Sequence, residues 1–147
     1  MNDGVILLVE DNSSDEELAL RALRKSNVVR EVVVVRDGAE ALDYLFSRGS
    51  HAGRDTTRLP RVVLLDLNLP KIGGIDVLRA IRADERTNLL PVVILTSSSE
   101  QRDVMSGYAS GANSYIVKPV DFTQFADTVR QVGTYWLMLN QRPSVER

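Results

Sequence analysis

The chain has 147 residues, the size of one ordinary domain, and its 44% hydrophobic and 26% charged residues exclude a disordered chain. A formal net charge of -2 gives no support to a general nucleic-acid-binding surface, which needs clustered Lys and Arg. With no cysteine there is no disulfide, thiolate metal site or Cys nucleophile. No apolar run approaches the ~18 residues of a membrane helix, and the opening Met-Asn-Asp-Gly has no signal-peptide pattern, so a cytoplasmic protein without a membrane partner is expected.

The first apolar run, Val5–Val9, reads as a strand buried on both faces, because it lacks polar alternation. Ser13 and Ser14, each followed three residues on by Glu16 and Glu17, form a capping-box pattern that opens a first helix. Residues 32–35 give a second strand, and Gly38–Phe46 a second helix with Ala41, Leu42 and Leu45 on one face. Residues 47–59 are polar and contain the only histidine. They read as an exposed loop that is mobile or makes contacts, with His51 solvent-facing and without a partner. Val62–Leu65 is a third strand. A third helix over 76–83 turns Val77, Leu78 and Ile81 inward. A strand at 92–95, a helix at 100–110 ended by Gly111, and a strand at 115–117 follow. Phe122, Phe125, Val129, Val132 and Trp136 then recur at spacings of three and four, which predicts a long last helix from near Asp121. Residues 1–140 form one domain in this reading, and 141–147 a disordered tail.

Strands alternating with helices imply right-handed crossovers and a doubly wound parallel α/β sheet. With five strands the expected form is the flavodoxin-like (βα)5 arrangement, order 2-1-3-4-5, whose site lies beyond the strand C-termini. The chemistry collects there. The first strand ends in Glu10-Asp11, the third in Asp66, the fourth in Thr96-Ser97 and the fifth in Lys118-Pro119. Three close carboxylates repel unless a cation is present, and an all-oxygen site with few protein ligands suits Mg²⁺. A carboxylate can attack phosphorus and form an acyl phosphate, while a cation, an ammonium and a hydroxyl offset the phosphoryl charge.

These residues carry a specific resemblance. Ile6-Leu7-Leu8-Val9-Glu10-Asp11-Asn12, the run from Asp66 through Pro70 to Gly74, Leu95-Thr96-Ser97, and Gly111-Ala112 with Tyr115-Ile116-Val117-Lys118-Pro119 together resemble response-regulator receiver domains of two-component signalling, over roughly residues 4 to 135. The resemblance implies that Asp66 is the phosphoacceptor, served by a sensor histidine kinase. It implies Mg²⁺, with Mn²⁺ as a substitute, held by Asp11, Asp66 and the backbone carbonyl of Asn68, with Glu10 acting through water. Lys118, Thr96 and Ser97 would meet the phosphoryl group and Tyr115 would turn inward, reshaping the surface of the fourth helix, fifth strand and fifth helix. Such a protein is a switch with self-catalysed phosphotransfer and autodephosphorylation rather than an enzyme. Asn68 and Ser98 occupy the positions that tune phosphoryl lifetime. No output module is expected after Trp136. The long loop and the segment Val132 to Asn140 resemble single-domain regulators that partner phytochrome-type histidine kinases, which implies a homodimer through Phe122, Tyr135, Trp136 and Leu137. A haloacid-dehalogenase-like hydrolase would want an aspartate where Asn68 stands, and a flavodoxin would want a hydroxyl-rich loop in place of Glu10-Asp11.

Overall fold

A computed structural model describes residues 4–141 and residue 143. Strand β1 is Val5–Val9, β2 Glu31–Val35, β3 Val62–Leu65, β4 Val92–Thr96 and β5 Ser114–Val117. Helix α1 is Ser13–Arg24, α2 Gly38–Phe46, α3 Gly74–Ala83, α4 Gln101–Ala109 and α5 Phe122–Thr134. The strands form a single parallel sheet in the order β2-β1-β3-β4-β5, as expected. Ile6 pairs with Val32 on one side and Val62 on the other, and Leu65 pairs with Ile94. The three central strands are fully buried because a cluster covers each face. Leu7, Val9, Leu65, Val77, Leu78 and Ile81 belong to one cluster; Ile6, Leu8, Leu64, Val93, Phe125 and Val129 belong to the other. This explains the unbroken apolar runs: every side chain in such a strand has a helix above or below it.

The order reverses between β1 and β3, so the chains leaving these strands diverge and open a crevice at their C-terminal ends. The turn that follows β3 is held tightly. A Cβ on Gly74 would lie 2.3 Å from the Asp66 carbonyl oxygen, so only glycine lets α3 start this close to the strand end.

Several local expectations are corrected. The cap of α1 is Asn12, whose side chain accepts from the Asp15 N–H, one residue before the expected Ser13. His51 is half-buried in a 3₁₀ turn, Gly49–His51, with Nε2 3.2 Å from Glu40 Oε2 and its ring edge-on to Tyr44. It therefore has a partner, and the loop is tied down. Arg54 donates to the Tyr44 and Arg58 carbonyls and stacks 3.7 Å from the centre of the Tyr44 ring. The last helix does not run on in α geometry, because Tyr135–Leu139 is a π-helical turn. The wider turn sends Leu137 inward, where it is buried in the α1/α5 cluster and its carbonyl accepts from Arg61. Leu137 is therefore a core residue and not a surface for a second copy. Tyr135, Met138 and Leu139 are exposed and Trp136 is half-buried. Phe122, at the opening of α5, is 72% exposed. Most of the 141–147 tail lies outside the described residues. No helix among the described residues is long and apolar enough to cross a membrane.

Candidate functional site

Ladder hydrogen bonds carry the sheet one residue past its strands and so fix the site. Glu10 N–H donates to the Val35 carbonyl at 3.0 Å, and Asp66 N–H to the Val9 carbonyl at 3.1 Å. Lys118 N–H donates to the Thr96 carbonyl at 2.7 Å. Three side chains from three strand ends are thereby held by backbone geometry rather than by flexible loops.

They converge as expected. Glu10, Asp11 and Asp66 each place a carboxylate oxygen within 4.8 Å of the others. Lys118 Nζ lies 2.7 Å from Glu10 Oε1 and 3.0 Å from Asp66 Oδ2. Its side chain is only 8% exposed. Asp66 is buried too, and its Oδ1 accepts from the Asn68 N–H at 3.2 Å. Asp11 and Asn68 are exposed, so the carboxylate group opens to solvent on one side.

The donor set fits a hard divalent cation. It offers oxygen ligands only, from few side chains, with open solvent to supply the remaining waters. The electrostatics agree. Burial pushes the Glu10 carboxyl up to about 7, although the Lys118 ammonium beside it pulls the other way. Burial would lower the Lys118 ammonium, but its hydrogen bonds to Asp15 and Glu10, with the charges of Asp66 and Glu10, hold it above the ordinary lysine range. The site is thus richer in anions than one ammonium can balance.

Asp15 was not anticipated from sequence. Its Oδ2 lies 2.9 Å from Lys118 Nζ, which makes a third carboxylate on the same ammonium. Asp15 stands in the first turn of α1, which begins beside the same rim, but no pattern in the sequence pairs it with Lys118.

Beyond this cluster, Thr96 is completely buried, and its Oγ1 has no hydrogen-bond partner among the described residues. A buried hydroxyl left unpaired is costly, and Thr96 stands on the strand beside Asp66. Ser97, next in sequence, is exposed. Ser98 faces away from the carboxylates: its hydroxyl donates to Asp103 on α4, and its carbonyl accepts from Tyr115 OH at 2.8 Å. The Tyr115 ring lies against α4 at Gly107, where a Cβ would come within 3.1 Å of it. Desolvation there, opposed in part by the bond to Ser98, raises the Tyr115 phenol. Tyr115 and Ser98 thus join β5 to the turn between β4 and α4.

Comparison with known proteins agrees with the geometry. The family model for the response regulator receiver domain matches residues 6–130. The chain is 42% identical over 139 residues to the probable methanogenesis regulatory protein FilR2 of Methanothrix harundinacea, covering 95% of this chain and 87% of that protein. It is similar to the crystal structure of the phosphorylated cyanobacterial phytochrome response regulator RcpA, with a TM-score of 0.89 and 40% identity over 96% of this chain and 99% of that one. It is also similar to the Mn²⁺-bound form of response regulator Rcp1, with a TM-score of 0.88 and 33% identity over 96% of this chain and 99% of that one.

Proposed function

This chain belongs to the response-regulator receiver family, and on that premise we propose that it is a switch that takes a phosphoryl group onto Asp66 from a sensor histidine kinase. The observation that carries the reading is the buried Asp66 carboxylate set between a solvent-open acid group and the Lys118 ammonium. In the transfer an Asp66 oxygen bonds to phosphorus as the bond from phosphorus to the donor imidazole breaks. The nitrogen leaves with the electron pair and takes up a proton from solvent.

Asp11, Asp66 and the Asn68 backbone carbonyl would hold Mg²⁺, or Mn²⁺ in its place, with Glu10 acting through water. When bound, that cation supplies positive charge that offsets the oxygens of the transferring group. Lys118 pairs with a phosphoryl oxygen on the opposite side. Thr96 turns its unpartnered hydroxyl toward the group, with Ser97 at the rim beside it. Tyr115 then leaves the Ser98 carbonyl and packs inward. The change reaches the face formed by α4, β5 and α5 and biases an equilibrium between two arrangements. Ser98, bonded to Asp103, is poorly placed to orient a hydrolytic water, so autodephosphorylation proceeds without help from that side chain.

The similarity to RcpA supports a phytochrome-type histidine kinase as the donor. Phosphotransfer from a panel of autophosphorylated kinases that includes such a member tests this. Labelling of Asp66 by that member ahead of the others is expected, and preference for an unrelated kinase would remove the assignment. A homodimer is proposed through Phe122, Tyr135 and Trp136, extended by the exposed Met138 and Leu139. Light scattering should give twice the 16.3 kDa chain mass. A chain mass that stays monomeric at every concentration, phosphorylated or not, would remove the dimer.

Metal binding should follow pH. Because the Glu10 carboxyl holds its proton up to about 7, the proton competes with the cation below that value and is absent above it. The apparent Mn²⁺ affinity is therefore expected to rise about tenfold between pH 6 and pH 8. A titration showing the same affinity at both would show that Glu10 has no part in holding the ion.

A further inference from the structure

The Lys118 ammonium has three N–H groups, and all three are committed, one each to Glu10 at 2.7 Å, Asp15 at 2.9 Å and Asp66 at 3.0 Å. A phosphoryl oxygen arriving at Asp66 therefore finds no free donor on the residue best placed to receive it. One carboxylate must let go. Glu10 is held most firmly: its side chain is 3% exposed, and its other oxygen accepts from the Asn12 N–H at 3.1 Å. Asp66 is the reacting group itself. Asp15 is the one that can be released at small cost. Its side chain is 29% exposed, so water can take over its hydrogen bonds. The start of α1 does not depend on that side chain either, because Asn12 caps the helix by accepting from the Asp15 backbone N–H at 3.0 Å.

We infer that Asp15 is a built-in competitor for the phosphoryl group, a carboxylate that occupies the third donor of Lys118 until an incoming phosphoryl oxygen displaces it. The inference rests on Asp66 as the phosphoacceptor and assigns Asp15 a positioning role exerted through Lys118. Asp15 acts in two ways. It fills the seat on the ammonium, and its negative charge stands at the mouth through which a phosphodonor, itself an anion, must approach. Both slow loading. Both also keep Lys118 fixed above Asp66 while the site is unmodified, so the buried ammonium is never without a full set of acceptors.

The test measures phosphorylation of the full chain by acetyl phosphate at saturating Mg²⁺, followed by intact-protein mass spectrometry, at low and high KCl. Asp15→Asn keeps an acceptor for Lys118 while removing the charge, and Asp15→Ala removes both. Far-ultraviolet circular dichroism establishes that each variant is folded. At low salt the initial rate is expected to rise about threefold to tenfold in both variants. The gain in Asp15→Asn should narrow to under about twofold at high salt, because screening weakens repulsion of the donor. A purely structural role for Asp15 would give no gain that salt erodes. A rate at or below that of the unsubstituted protein in either folded variant, or a gain indifferent to salt in Asp15→Asn, overturns the inference while leaving Asp66 as the acceptor. Absence of phosphate on the unsubstituted protein overturns both.

Discussion

Replacing Asp66 by asparagine is expected to leave a folded protein that takes up no phosphoryl group. The amide is nearly the size of the carboxylate, so the buried seat at the end of β3 stays filled. Its oxygen can still accept from the Asn68 N–H, and Lys118 keeps Glu10 and Asp15 as counter-charges. What disappears is the anionic oxygen able to bond to phosphorus. Incubation with acetyl phosphate, or with a phosphorylated kinase and Mg²⁺, should therefore give a phosphorylated species for the unsubstituted chain and only background for Asp66→Asn. Phosphate bound to the variant at full stoichiometry would place the acceptor elsewhere.

Lys118→Ala should have the next largest effect, and on two quantities at once. Without the ammonium, Glu10 and Asp66 stay buried next to Asp15 with no cation among them. Removing one partner from a buried ion pair costs about 3–5 kcal/mol, and urea unfolding at pH 8 without divalent cation should show a loss toward the lower end of that range, since Asp15 faces water. The sign of the pH effect follows from Glu10. Its folded-state carboxyl already binds its proton up to about 7, above the unfolded value of 4.5, so the folded form holds more protons than the unfolded one between those limits. Stability of the variant should therefore recover as pH falls from 8 to 6, and Mg²⁺ at pH 8 should restore part of it by supplying the missing positive charge. The second quantity is coupling. Phosphorylated Lys118→Ala should lose the change in amide exchange over α4, β5 and α5 that the phosphorylated parent displays. An equal exchange difference in both proteins would assign the coupling to another group.

The sheet was legible because each central strand is buried on both faces, which leaves an unbroken apolar run such as Val62–Leu65 in the sequence. The site was legible for a related reason. In a parallel sheet the residues just past those runs must share one rim, so Glu10, Asp11, Asp66, Thr96 and Lys118 could be grouped before any distance was known. Side-chain pairings across long separations were less accessible. Asp15 meets Lys118 across 103 positions, and nothing local to either residue announces the contact. His51 looked solitary because Glu40 reaches it from the preceding helix, around a turn whose path the polar composition of the loop does not specify. Leu137 was placed at an interface by the resemblance to dimeric single-domain regulators, and the π turn that accompanies its burial carries no clear periodic mark in the sequence.

That widened turn has a consequence of its own. A π turn holds one residue more than the α turn it replaces, which rotates everything after it by roughly 100° about the axis. Met138 and Leu139 lie within this turn, so loss of a single residue from 135–139 would re-aim both exposed side chains while leaving the distant rim at Asp66 in place. Chains that differ here by one residue would share the same sheet and strand-end rim and yet present differently aimed apolar side chains at the end of the last helix.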